Sequence, residues 1–130
     1  MSDASPHITI RSHRDLIVWQ KAMVLVTDVY SLTKTFPREE IYGLTAQIRR
    51  AAASVPANIA EGQGRRLGRE FHQFLGNARG SLLELDTHLE LALRVGYLSG
   101  EQHVSIRQKL DEVGRLLNGL MRSISSETNI

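Results

Sequence analysis

Residues 44–62, LTAQIRRAAASVPANIAEG, hold the pattern that decides the fold class of this chain. Their apolar side chains recur every three or four residues, the spacing that places side chains on one face of an α-helix. Gly62 and Gly64 predict the end of this helix, because glycine reaches the left-handed conformation at little steric cost. Pro56 predicts a kink that frees the Ala52 carbonyl, with Ser54 as its cap. The predicted inward face consists of Leu44, Ile48, Ala52, Val55 and Ile59.

Three other stretches repeat this helical period, one before residues 44–62 and two after them. Pro37, followed by acidic residues, predicts the start of the second helix. Ser99 and Gln102 have the spacing of a capping box at the start of the fourth helix. A polar face on the fourth helix, from Gln108 to Arg122, is typical of a solvated outer helix. The other predicted inward faces are Leu16, Trp19, Met23, Val26 and Tyr30 in the first helix; Phe71, Leu75, Ala78, Leu82, Leu85, Leu89 and Leu93 in the third; and Ile106, Leu110, Val113, Leu117, Leu120 and Ile124 in the fourth.

Four helices of similar length with short connections predict an all-α fold, an antiparallel up-down-up-down four-helix bundle. We expect the bundle over residues 15–125, between a flexible N-terminal tail at residues 1–14 and a frayed C-terminus at residues 126–130. The composition fits one soluble domain, because 42% of the 130 residues are hydrophobic and 23% are charged.

The chain has no cysteine, which excludes disulfide frameworks, thiolate metal sites and cysteine nucleophiles. Its first residues lack the apolar run of a signal peptide, and no stretch approaches the roughly 18 apolar residues of a membrane span. We therefore expect a cytoplasmic protein without a membrane partner.

Helices 1 to 3 carry apolar or small residues beyond the stripe that one bundle needs. Such extra faces usually mark association surfaces, so they predict a homo-oligomer. The alternative is a monomer in which small residues only favour helix formation. The residues assigned to oligomer packing are Val18, Ala22, Leu25, Gly76 and Gly80.

Polar stripes on the second and third helices allow two interpretations. In the first, they form a hydrogen-bonded network that fixes the register of the bundle, or they lie at a subunit interface. In the second, they line a site. We favour the network. Its members are Gln47, Ser54, Asn58 and Glu61 on the second helix, and Asn77, Ser81 and Glu84 on the third.

No catalytic, cofactor-binding or metal-binding constellation emerges from the sequence. The Glu-x-x-His step of two-metal bundles is missing, and the glycine-rich residues 62–68 follow a helix and lack the ending of a phosphate loop. We therefore expect a protein that is not an enzyme and needs no cofactor. An enzyme that uses Glu84 and His88, one helical turn apart, is a minor alternative.

Charge separates the middle of the chain from the rest. Residues 44–80 hold six basic and two acidic side chains, a formal charge of +4, and every basic one is arginine. Arginine suits phosphate because its planar guanidinium donates paired hydrogen bonds. These residues are our candidates for nucleic-acid contact, against the alternative of a solvated turn: Arg49, Arg50, Arg65, Arg66, Arg69 and Arg79.

Residues 44–62, together with VWQKA at residues 18–22 and FLGNARGSLLEL at residues 74–85, form a specific set of strings. From about residue 15 to residue 123 the chain resembles the four-helix-bundle proteins encoded in intervening sequences of bacterial 23S rRNA genes. The positions that match are Gln47, Arg50, Ser54, Pro56, Asn58, Glu61 and Gly62 on the second helix, and Arg79, Ser81 and Glu84 on the third.

A related branch of these proteins contains the accessory variability proteins of diversity-generating retroelements, which form pentameric rings and bind nucleic acid and a reverse transcriptase. The resemblance therefore implies a homopentamer. Together with the arginines, it predicts a non-enzymatic accessory protein that binds RNA or DNA phosphates. The alternative is a protein-interaction scaffold that binds a partner protein and no nucleic acid.

Overall fold

The computed structural model describes residues 10–128, with the side chains of residues 10–125. Within that range the chain forms four α-helices and no strand. Residues 1–9 of the predicted tail and residues 129–130 of the predicted frayed C-terminus lie outside the described residues. The helices are α1, Ile17–Thr33; α2, Leu44–Gln63; α3, Gly68–Arg94; and α4, Gly100–Thr128. Short 3₁₀ turns at His13–Asp15 and Arg38–Glu40 precede α1 and α2.

The four helices pack as the predicted up-down-up-down bundle. Each helix packs closely against the two that flank it around the bundle, while the diagonal pairs, α1 with α3 and α2 with α4, bring no Cα atoms within 8 Å of each other among the described residues. Side-chain pairs show that neighbours run antiparallel, because Lys21 of α1 bridges to Glu112 of α4, whereas the later Asp28 reaches back to Lys109.

The core follows the predicted faces of α2, α3 and α4 closely. Ile48, Ala52, Val55 and Ile59 are completely buried in α2, and the alternating leucines of α3 lie opposite them. In α4, Met121 takes the buried position that the pattern assigns to Leu120, which is only partly buried.

The predicted inward face of α1 is wrong. Met23 and Tyr30 are 40% and 42% exposed, whereas the stripe assigned to oligomer packing, Val18, Ala22 and Leu25, lies in the core of the single chain. Both stripes of α1 have helical spacing, and packing between α2 and α4 decides which one turns inward. Val18, Ala22 and Leu25 are therefore not available for contact with a second subunit.

The start of α2 lies later than Pro37 predicts. A 3₁₀ turn comes first, and its Glu40 carboxylate accepts hydrogen bonds from the Leu44 backbone N–H at 3.1 Å and from the Tyr97 hydroxyl at 2.8 Å. The backbone hydrogen bond and then the Tyr97 bond lower the pKa of Glu40, and the same bond to Glu40 raises the pKa of Tyr97. Glu40 thus caps α2 and ties it to the end of α3.

The end of α2 is where predicted, but for a different reason. Gly64, the C-terminal cap, has φ −76°, a right-handed helical conformation that needs no glycine. Gly62 is required instead by close packing, since a Cβ built there would lie 2.8 Å from Phe74 Cβ and 3.2 Å from the Phe71 carbonyl oxygen. The left-handed glycine of the bundle is Gly96, φ +87°, which ends α3.

Two other local predictions have different outcomes. Ser99 and Gln102 form the capping box, with Ser99 N–H donating to Gln102 Oε1 at 2.9 Å and Gln102 N–H donating to Ser99 Oγ at 3.1 Å. The Ser54 hydroxyl, predicted to cap the carbonyl freed by Pro56, pairs instead with the Ser81 hydroxyl of α3 at 2.8 Å.

Candidate functional site

The antiparallel arrangement sorts charge to opposite ends of the bundle. The half that holds the starts of α1 and α3 and the ends of α2 and α4, residues 10–25, 54–81 and 114–125, carries nine basic and three acidic side chains, a formal +6. We call this half the basic end. The other half, residues 26–53 and 82–113, carries seven basic and nine acidic side chains, a formal −2.

Three exposed arginines of this end lie in the turn between α2 and α3 and at the start of α3. Arg66 and Arg69 are exposed, and no carboxylate among the described residues forms an ion pair with either one. Arg65 is more constrained, because it pairs with Glu61 at 2.8 Å and its guanidinium lies 4.8 Å above the Phe74 ring. Arg66 in the turn and Arg69 at the start of α3 are therefore the two of these arginines whose charge is open to a ligand.

The six candidate arginines do not form one surface. Arg49 lies in the opposite half of the bundle, about 21 Å along α2 from the end of that helix at Gln63, at 1.5 Å per residue. Its Nε donates to Thr33 Oγ1 at 2.9 Å, and its guanidinium lies 4.8 Å from the Tyr30 ring, so Arg49 joins α1 to α2. Arg50, next to it, is exposed in the same half. Arg79 is in the basic end but faces α4, where its Nη1 donates to Asn118 Oδ1 at 3.3 Å.

Part of the predicted polar network is present between α2 and α3. Ser54 and Ser81 share a 2.8 Å hydrogen bond, and Asn58 Nδ2 donates to the Ser54 carbonyl at 2.9 Å and to Ser54 Oγ at 3.0 Å. This cluster fixes the register of the two helices in the single chain. The remaining members of the predicted network are exposed: Gln47, Glu61, Asn77 and Glu84.

The small residues assigned to oligomer packing on α3 have different surroundings. A Cβ built at Gly76 would lie 3.9 Å from Met121 Cε of α4, so Gly76 faces a neighbouring helix of its own chain. A Cβ at Gly80 would meet no atom within 4 Å, so that position is open.

The alternative enzyme site has no support in the geometry. Glu84 is exposed, while His88 is half-buried and its Nδ1 has no hydrogen-bond partner. Across the described residues, no group of three or more histidine or acidic side chains is placed to hold a metal ion. None of the described helices combines the length and the apolar character needed to span a membrane.

Sequence reasoning named Arg79 but missed the basic residues that it joins on the side of the bundle where α3 meets α4. His72 and Arg79 of α3 and Arg122 of α4 line a common groove. Arg115 lines the adjoining depression, which shares Arg79 with the groove and also contains Asp86 and Asp111. The separation of the basic residues of α3 from those of α4 by more than 30 residues hides the grouping in the sequence. The only local signal is the helical spacing of residues 69, 72, 76 and 79 and of residues 115, 118 and 122.

The fold and charge distribution define a small all-helical bundle with one basic end. The chain belongs to the 23S rRNA-intervening sequence protein family, whose model matches residues 14–119. A solved structure of a protein with unknown function from the S23 ribosomal protein family of Bacteroides thetaiotaomicron is similar, with a TM-score of 0.75 and 27% identity. The similarity covers 81% of this chain and 98% of that one. None of the curated proteins matches this chain.

Proposed function

We propose that this chain is a non-enzymatic, nucleic-acid-associated accessory protein of the cytoplasm that assembles into a homo-oligomeric ring, a pentamer as the resemblance implies. The observation that carries the nucleic-acid part is the segregation of a formal +6 to one end, with Arg66 and Arg69 exposed there and unpaired among the described carboxylates. In a ring these arginines would repeat around a common axis, so several weak phosphate contacts would act together.

The proposed mechanism is electrostatic. Arginines at the basic end engage phosphate oxygens and release the counterions condensed on the nucleic acid, and they read no base. The affinity for RNA is then expected to fall steeply as the salt concentration rises, with little dependence on base sequence.

The double variant Arg66→Gln/Arg69→Gln is expected to bind RNA more weakly than the parent protein. Loss of two phosphate contacts should lower the slope of log affinity against log salt by about 1.4 for a single strand. The measurement is fluorescence anisotropy of a labelled single-stranded RNA over a series of salt concentrations.

The matched control is Lys34→Gln/Arg38→Gln, which removes the same charge from exposed positions at the opposite end of the bundle. It should leave both the affinity and the salt slope close to those of the parent. Equal losses from both variants would show that only net charge matters, and an unchanged slope in Arg66→Gln/Arg69→Gln would contradict the assignment.

The ring part of the proposal rests on exposed apolar faces that the single chain leaves uncovered. On α3, Leu83 and Leu91 are 62% and 46% exposed, and on α1, Ile17 and Val24 are 56% and 52% exposed. Because α1 and α3 are diagonal in the bundle, these faces point away from each other. Contact between the α1 face of one subunit and the α3 face of the next is head-to-tail, the geometry that closes rings.

Leu83→Asp/Leu91→Asp is expected to reduce the solution mass from that of a ring to that of one chain, because buried unpaired carboxylates oppose association. Light scattering coupled to size exclusion measures this mass, and circular dichroism checks that the helices remain. A matched change on the polar face of α4, Gln108→Asp, should leave the mass unchanged. A parent protein that is already monomeric would refute the ring.

The alternative function, a protein-interaction scaffold, is favoured by one observation. Val95 and Val104 are both more than half exposed near the join of α3 and α4, in the half of the bundle opposite the arginines. In that case a partner protein covers the apolar surface, and the parent protein binds no RNA at any salt concentration.

A further inference from the structure

An open groove runs between the first half of α3 and the second half of α4, with a volume of about 590 Å³. Pockets for small organic ligands have mainly apolar walls. By residue type this groove is instead mostly polar, because Met121 is its one apolar lining residue and no carboxylate lines it among the described residues. Its lining consists of His72, Arg79, Asn118, Met121, Arg122 and Ser125.

The basic side chains along the groove form two rows on antiparallel helices. Arg69, His72 and Arg79 share one face of α3 and extend over about 15 Å at 1.5 Å per residue. Arg115 and Arg122 share one face of α4 and extend over about 10 Å by the same rise. The contact of Arg79 with Asn118 sets the two rows side by side. Each row is longer than a single phosphate group, so it can contact successive phosphates along one strand.

The arginines of the groove are not paired within the described chain, and the two carboxylates nearest to them, Asp86 and Asp111, both pair with Arg107. Arg79, Arg115 and Arg122 form no ion pair with any described carboxylate. Asn118 Oδ1 accepts from Arg79 Nη1, which orients that guanidinium and leaves the Asn118 amide N–H groups free to donate. All these groups are hydrogen-bond donors, which is what phosphate oxygens require.

A glycine borders the groove beside its lining residue Met121. Gly76 lies on α3 between His72 and Arg79, and a Cβ placed there would be in ordinary contact with Met121 Cε at 3.9 Å. Any longer side chain at this position would extend over the groove between the two rows of basic residues.

We infer that the α3–α4 groove binds the phosphate backbone of a single nucleic-acid strand, which enters from the α2–α3 turn at Arg69 and runs between the two helices past Arg79 and Arg122. This inference rests on the proposed function, and it names the surface that performs it.

The first test is the double variant Arg115→Gln/Arg122→Gln, with a labelled single-stranded oligouridylate of about 20 nucleotides as the probe. The loss of two phosphate contacts is expected to weaken binding about tenfold and to lower the salt slope by about 1.4. Lys34→Gln/Arg38→Gln, with the same charge change at the other end, should bind like the parent.

The second test separates the shape of the groove from its charge. Gly76→Leu adds no charge and improves helix propensity, so the variant should keep the thermal unfolding midpoint of the parent or exceed it. The probe should bind the variant several-fold more weakly, with an unchanged salt slope. Full binding by both groove variants, with loss in Arg66→Gln/Arg69→Gln, would overturn the groove and keep the proposed function. Failure of the parent to bind would overturn both, and tighter binding of duplex RNA of the same length would overturn the single strand.

Discussion

Replacing Leu25 by alanine is expected to lower the free energy of unfolding by about 2–5 kcal/mol, the range for truncation of a fully buried leucine. Leu25 has no exposed surface, and its neighbours along the same face of α1, Ala22 and Val29, are also completely buried. Because this face of α1 packs against both α2 and α4, the cavity left behind would not collapse readily. Urea unfolding followed by circular dichroism gives the value from the shift in midpoint at constant slope.

Met23→Ala is the matched control for this prediction, since Met23 lies on the other stripe of α1 and is 40% exposed. Its cost should be well below that of Leu25→Ala, because less apolar surface returns to water. The opposite order of the two costs would restore the face predicted from the sequence and would contradict the packing of α1 described above.

Gly62→Ala is expected to lower the free energy of unfolding by about 2 kcal/mol, within the usual cost of overpacking a core. The added methyl group would lie 2.8 Å from Phe74 Cβ and 3.2 Å from the Phe71 carbonyl oxygen. Both atoms are attached rigidly to the backbone of α3, so relief requires α2 and α3 to separate. The same urea titration measures the change.

A second glycine provides a control of opposite sign. Gly119 is inside α4, and a Cβ there would meet only Arg122 Nη2 at 3.9 Å. Gly119→Ala should therefore raise the free energy of unfolding by up to about 1 kcal/mol, because alanine loses less backbone entropy in a helix. Stabilisation by both substitutions would show that α2 and α3 are not in close contact at Gly62.

The number and order of the helices could be predicted because each one carries its own period. Ile48, Val55 and Ile59 are spaced so that only an α-helix brings them to one face, and the structure buries all three. The capping box at Ser99 is equally local, since its partners are three residues apart. The family resemblance is also confirmed, by the model match over residues 14–119.

The candidate site was predicted less well, because it depends on residues far apart in the chain. Arg49 and Arg65 look alike in the sequence, yet Arg49 bonds to Thr33 and stacks on Tyr30 while Arg65 lies at the other end of the bundle. The grouping of Arg79 with Arg122 requires knowing which faces of α3 and α4 meet.

The sequence by itself determined that this chain is all-helical, where its capping box lies and that its middle is rich in arginine, since helical periodicity, capping and composition are local properties. Only the tertiary structure decided that Leu25 rather than Met23 of α1 turns inward, that Gly62 serves close packing, and that basic residues from two helices share one groove. The physical reason is that packing is a relation between surfaces. Whether an apolar stripe is buried, and which groups a charged side chain contacts, depends on the distance and register of the neighbouring helix.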